Sequence, residues 1–223
     1  MTKRIETMLF DLDGTILDTN ELIIRSFIES LQGYVPHDFG REHIIPSMGE
    51  PLVDQLKRFS GLEEVSKLVD AYREVNLRLH DELVKPFEYV NEVISNLHES
   101  GVHIGVVTTK MRLTTERGLK YCGLFDYIDA IVTIDDVDHP KPHPEPVNKA
   151  IELLSANPKT TLMVGDSIVD MQSGYAAGTI PVGVAWSLKS AKLLSDAGAQ
   201  HIIDDMRDLY SFAGLEREPF AKR

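Results

Sequence analysis

The stretch Leu9-Phe10-Asp11-Leu12-Asp13-Gly14-Thr15-Ile16 constrains the fold of this chain more than any other. An apolar run from Ile5 to Phe10, broken only by Glu6 and Thr7, stops at two acids. A run of that length ahead of Gly-Thr reads as a buried strand ending in a loop. Positions i and i+2 of a strand face the same side, so Asp11 and Asp13 project together from its C-terminal end. Two like charges so placed repel unless something neutralises them. A hard divalent cation does so, and Mg2+ suits a site of few carboxylates and several waters. The other reading is a capped turn, because Asp-Gly is a common turn pair.

The rest of the chain decides between them. Leu22, Ile23, Ile24, Phe27, Ile28 and Leu31 recur at helical spacing, followed by Gly33 and Pro36 as a stop. A loop-like stretch holds Pro46, Gly49 and Pro51. Leu52 to Phe59 and Val65 to Leu83 then carry two more helical stripes. Residues 16–84 thus read as an all-helical insert without a convincing strand. From Pro86 onward the rhythm alternates. Strands are expected at Val102–Val107, Ala130–Val132, Leu162–Val164, Ile180–Ala185 and His201–Ile203, with helices between them. That alternation predicts an α/β core, a Rossmann-like doubly wound parallel sheet built from 1–15 and 85–223. Ligands of such sheets sit at the carboxyl ends of the strands. The C-terminal Glu216 to Arg223 carries no pattern and is expected to fray.

Polar clusters fall at those strand ends. Thr108 and Thr109 follow one strand, where hydroxyls and free N–H groups suit a phosphoryl oxygen; the alternative is helix capping. Val164-Gly165-Asp166-Ser167-Ile168-Val169-Asp170 repeats the pattern of a strand running into Gly-Asp. Asp166 would meet Asp11 and Asp13 if the strands are neighbours, and Asp170, one turn later, would orient Lys141 or the waters of a metal. Lys141 lies in His139-Pro140-Lys141-Pro142-His143-Pro144-Glu145-Pro146, a stiff, non-helical approach to the next helix. Rigidity helps hold a single ammonium over a phosphoryl group. His139 and His143 are set aside as a metal pair, because i,i+4 ligation requires a helix that the prolines forbid.

With 223 residues the chain has room for one large domain or a domain plus an insert. Its net charge of −12 argues against nucleic-acid or anionic-membrane partners, and makes an anionic substrate depend on placed cations. The single cysteine, Cys122, excludes an internal disulfide and fits a reducing cytoplasm. The N-terminal run is expected not to be a signal peptide, since it contains Glu6 and ends in acids.

In this order (D-x-D-G-T, a strand-end Thr, a Lys before a helix, then G-D-x-x-x-D) the motifs resemble the haloacid dehalogenase superfamily of phosphotransferases over essentially the whole length. The resemblance implies that residues 16–84 are the family's helical cap, with Gly49 in the cap loop facing the site. It implies Asp11 as nucleophile and Asp13 as general acid and base. Mg2+ would be held by Asp11, the backbone carbonyl of Asp13 and Asp166, and the phosphoryl group by Thr108, Thr109 and Lys141. The similarity is greatest to the branch of phosphoglycolate phosphatases, hexose-phosphate mutases and small bacterial pyrophosphatases. Asp18–Ile24, Thr108–Arg112 and Val182–Trp186 look most like the pyrophosphatases. Lys110 and Arg112 put two cations after the phosphate-binding strand, which suits a second phosphate; a solvated helix start is the equal alternative. His143, where relatives often carry Asp, and Ser167-Ile168-Val169 depart from the usual pattern. A dehalogenase would not need Asp13 or Asp166. A mutase shares the chemistry. A receiver domain would place its acid pair first and have no helical insert.

Overall fold

The computed structural model describes residues 4–216; most of the C-terminal stretch expected to fray, 217–223, lies outside them. The chain starts with strand β1 (Thr7–Phe10) and a two-residue β2 (Leu17–Asp18). Helices α1 (Asn20–Ser30), α2 (Arg41–Ile44), α3 (Leu52–Ser60) and α4 (Ser66–Leu83) follow, then β3 (Lys85–Pro86). Beyond lie α5 (Val90–Glu99), β4 (His103–Val107), α6 (Arg112–Tyr121), β5 (Ala130–Val132), α7 (Glu145–Leu153) and β6 (Thr161–Gly165). The chain continues through α8 (Ile168–Ala176), β7 (Ile180–Val184), α9 (Ala191–Asp196), β8 (His201–Ile203) and α10 (Leu209–Phe212).

Six strands form one parallel sheet in the order β5-β4-β1-β6-β7-β8. The chain builds outward from β1 to β4 and β5, then returns to lay β6 on the other side, so β1 and β6 flank the topological switch point. All four residues of β1 and all five of β6 are buried, as expected for strands covered by helices on both faces. In register, Phe10 stands beside both Val106 and Val164. The three central strands therefore end level, and the residues that follow them share one edge.

Helices α1 to α4 close a second apolar cluster around Ile24, Phe27, Leu56 and Leu68. The Phe27 ring packs 5.4 Å from Phe59 and 4.7 Å from Tyr72. This stretch differs from expectation in two places. Leu17–Asp18 pairs antiparallel with Lys85–Pro86, forming a two-stranded ribbon where the chain enters and leaves the helical region. Two-residue strands are too short to register as a period. The segment read as loop also holds α2, a single turn with too few residues for a helical stripe.

Candidate active site

Asp11 directly follows β1, and its N–H donates to Val164 O at 2.8 Å. One carboxylate oxygen accepts a hydrogen bond from Lys141 Nζ at 2.7 Å. The same ammonium donates to Asp170 Oδ1 at 2.6 Å and to Val107 O at 2.9 Å, which uses its three donors. Lys141 is 2% exposed and Asp170 fully buried. The proline-rich approach to α7 thus drives a lysine through the sheet edge to stand behind Asp11. Burial works against the charge on Lys141, but Asp11 and Asp170 outweigh it and hold its pKa above that of an ordinary lysine.

Asp166, at the end of β6, is 4% exposed. Burial pushes its carboxyl up to about 7, against the opposing charge of Lys189. Burial likewise raises Asp11 well above the usual carboxylate range, Lys141 pulling it back and Asp170 and Asp166 adding to the rise. Asp170 is fixed from its own helix. Ser167 N and Oγ donate to its Oδ2 at 3.0 and 2.5 Å, closing a capping box at the start of α8. Gly14 has φ +83, and a Cβ there would lie 2.6 Å from Asp166 Oδ2. The turn after Asp13 is therefore pressed onto that carboxylate, which only glycine allows.

Carboxylate oxygens of Asp11, Asp166 and Asp170 all lie within 4.8 Å of one another. The donor set is purely oxygen and buried, the chemistry that a hard dication such as Mg2+ takes. Asp170 is already committed to Lys141 and Ser167, which leaves Asp11 and Asp166 as the carboxylates free to turn to a cation. The Asp13 carboxylate belongs to a different pair: Lys110 Nζ lies 3.0 Å from each of its oxygens.

The remaining expected residues divide. Thr108 is buried and accepts the Lys110 N–H on its Oγ1 at 3.2 Å, beside Asp13 at the cleft floor. Thr109 Oγ1 donates to Gly49 O at 3.1 Å, tying the helical insert to the sheet edge. Arg112 does not line the cleft; of the two readings open for it, a second-phosphate contact and a helix start, it takes the place of the helix start. Its guanidinium bonds Asp136 at 2.7 Å and Ile131 O at 3.0 Å, because α6 begins at residue 112 and turns the side chain toward β5. Lys189 was missed. It is 8% exposed, its charge acts on Asp166, and its Nζ donates to Met48 O at 2.8 Å. The only sequence signal was its place after β7, at the same sheet edge.

Above the acids lies a cleft of about 290 Å3 between the insert and the sheet edge. Asp11, Asp13, Thr108, Thr109 and Lys110 face it from below, and Ile23, Phe27, Met48, Leu52, Tyr72, Arg73 and Asn76 from above. Gly49 also lines it, with φ +99, and a Cβ there would stand 2.8 Å from Ser167 Oγ. Gly49→Ala is expected to strain this approach by about 1–3 kcal/mol. If the strain acts on the catalytic arrangement, kcat/KM falls between about 5- and 150-fold while folding stays cooperative. Steady-state kinetics alongside a thermal melt check this, and unchanged kinetics would mean that the Gly49 contact plays no part in turnover.

The fold and these strand-end acids define a hydrolase of the doubly wound type. The haloacid dehalogenase-like hydrolase family model matches residues 8–184, and this chain belongs to that family, as an enzyme of its phosphatase type. It is 43% identical over 216 residues to Pyrophosphatase PpaX of Bacillus velezensis, covering 96% of this chain and 99% of that protein. It is 46% identical over 206 residues to Pyrophosphatase PpaX of Bacillus mycoides, covering 92% and 95%. A crystal structure of a hydrolase from Pseudomonas syringae superposes with a TM-score of 0.82 at 25% identity, over 92% of this chain and 96% of that one. No helix among the described residues is long and apolar enough to cross a membrane.

Proposed function

We propose that this chain hydrolyses inorganic pyrophosphate to two phosphates with Mg2+, through a phosphorylated Asp11. The observation that carries the hydrolase reading is the buried Asp11–Lys141–Asp170 chain, with Asp166 beside it. The pyrophosphatase names of the relatives supply the substrate.

A carboxylate meets repulsion from a phosphate anion, so charge must be neutralised before attack. Lys141 supplies one positive charge and holds the Asp11 oxygen in place. Asp11, Asp166 and the Asp13 carbonyl would hold Mg2+, which would supply Lewis-acid neutralisation of the phosphoryl oxygens. Attack forms a bond from Asp11 Oδ to phosphorus and breaks the bridging P–O bond. Asp13 gives a proton to the departing phosphate and then takes one from the water that cleaves the acyl phosphate, restoring Asp11. Thr108 orients the transferred group from the end of β4. Lys110, paired with Asp13 in the free protein, meets the second phosphate and thereby frees the Asp13 carboxylate to take up from solvent the proton that it gives to the departing phosphate. Residues 16–84 act as a cap that excludes water during the first step.

A second reading, a small phosphomonoester phosphatase such as one for phosphoglycolate, draws on the upper wall of the cleft, where Arg73 offers a charge to an anionic leaving group. Phosphate release from pyrophosphate, phosphoglycolate and several hexose phosphates separates the two. We expect pyrophosphate to be preferred, EDTA to stop release, and Lys110→Met to lower kcat/KM for pyrophosphate by about tenfold more than for a monoester. One lost charge-assisted contact, at the lower end of about 1.5–3 kcal/mol, gives a change of that order. A preference for phosphoglycolate moves the protein to the second reading. Release indifferent to EDTA overturns the metal assignment.

Mg2+ is also expected to stabilise the fold, because Asp11, Asp166 and Asp170 crowd together. At about a hundredfold above its Kd, a ligand of the folded state adds about 2.7 kcal/mol. For a chain of this size that raises Tm by roughly 5–10 °C. Calorimetry with Mg2+ and with EDTA measures it, and coincident melts would argue against a metal among these carboxylates.

A further inference from the structure

We propose that His139, His143 and Glu145 form a second cation site, outside the cleft, that takes a borderline dication of the Zn2+ class. The prolines rule out the helix through which i,i+4 histidines usually ligate, yet the structure brings the two imidazoles together by another path. Pro140 O accepts the His143 N–H at 3.0 Å, closing a turn that folds the segment back on itself. The two rings then lie 4.8 Å apart, centroid to centroid. Ligand atoms from His139, His143 and Glu145 all fall within 4.8 Å of one another.

The same three side chains both close the loop and stand where a cation can reach them. The loop itself is closed by Glu145, whose two oxygens accept the Asp138 and His139 N–H groups at 2.8 and 3.0 Å. His143 Nδ1 accepts the Glu145 N–H at 3.2 Å, so the imidazoles also take part in that closure. They stand on the solvent side, with side chains 67% and 52% exposed, so a cation has direct access. His139 Nδ1 lies 2.8 Å from Glu145 Oε2, and His143 Nδ1 lies 3.9 Å from the same oxygen. A dication would take the place of the proton shared by His139 and Glu145, and would draw His143 inward in exchange for its hydrogen bond from the Glu145 N–H. Two imidazole nitrogens and one carboxylate oxygen make a Zn2+ set that leaves positions for water, and a poor Mg2+ set. Four prolines between residues 139 and 146 restrict the backbone before binding, so little order remains to be imposed. The site brackets Lys141: its neighbours two residues to either side would be clamped on the outside while its ammonium holds Asp11 within.

The test is equilibrium dialysis of the full-length protein against micromolar Zn2+ in millimolar Mg2+, with bound zinc counted. Three proteins are compared: wild type, His139→Asn/His143→Asn, and Asp166→Asn. We expect wild type and Asp166→Asn each to retain one tightly bound zinc. The double variant should bind it about tenfold or more weaker. Co2+ in place of Zn2+ gives visible d–d absorption that reports imidazole ligation without reference to activity, and this signal should vanish in the double variant. Mg2+-supported phosphatase activity of the double variant serves as its folding control; if the pair fails to fold, His139→Asn alone is measured. Equal zinc in wild type and the histidine variant, or zinc lost from Asp166→Asn with the histidines intact, overturns the proposal.

Discussion

Asp11→Asn is expected to lower phosphate release by about 10^4-fold or more while leaving the fold as stable as wild type or more so. The activity loss follows from removing the attacking oxygen, since the residual rate then rests on binding and electrostatics alone. The stability side is the sharper half. Burial holds the Asp11 carboxyl well above its usual range, against the pull of Lys141, so its charge is harder to hold in the fold than in the unfolded chain. An amide of the same shape removes that burden. Lys141 keeps two partners, Asp170 Oδ1 at 2.6 Å and Val107 O at 2.9 Å, so its charge is not abandoned. Phosphate release under saturating substrate, together with urea unfolding, reads both halves. Turnover near wild type sinks the nucleophile assignment; a large loss of stability would mean that Asp11 serves as a structural partner of Lys141.

How much of this was legible in the sequence depended on range. Parallel strands covered on both faces are short apolar runs, and their ends are marked by the first polar residues, so Asp11, Thr108 and Asp166 could be placed at one sheet edge from local pattern alone. Lys141 stood out because prolines isolate it. What pattern could not carry was the direction of a side chain at a helix start. Lys110 and Arg112 are two residues apart, yet one pairs with Asp13 and the other with Asp136, because α6 begins between them. Nor could it carry contacts across sequence distance. Lys189 reaching Met48 O and Thr109 reaching Gly49 O join loops far apart in the chain, and no periodicity encodes such a meeting. The approach of His139 to His143 escapes the sequence for a related reason. Their i,i+4 spacing implies a shared face only on a helix, whereas a proline turn provides another route.

Lys141→Met should damage both stability and turnover, and the contrast with Asp11→Asn is the reason to make it. Methionine matches the length of the lysine stem but leaves Asp11 and Asp170 as two buried acids without their shared cation. Breaking a buried pair by removing one partner costs about 3–5 kcal/mol. For a chain of 223 residues this lowers Tm by roughly 6–20 °C. Turnover falls as well, because the nucleophile loses its positioning hydrogen bond and the phosphoryl group a positive charge. The decisive measurement is the double variant. In Asp11→Asn/Lys141→Met one of the two stranded carboxylates is already neutral, so its stability should exceed that of Lys141→Met alone. A melting temperature equal to or below that of the single Lys141→Met variant would mean that the lysine stabilises the fold through Asp170 and Val107 O, with Asp11 contributing nothing to the pair.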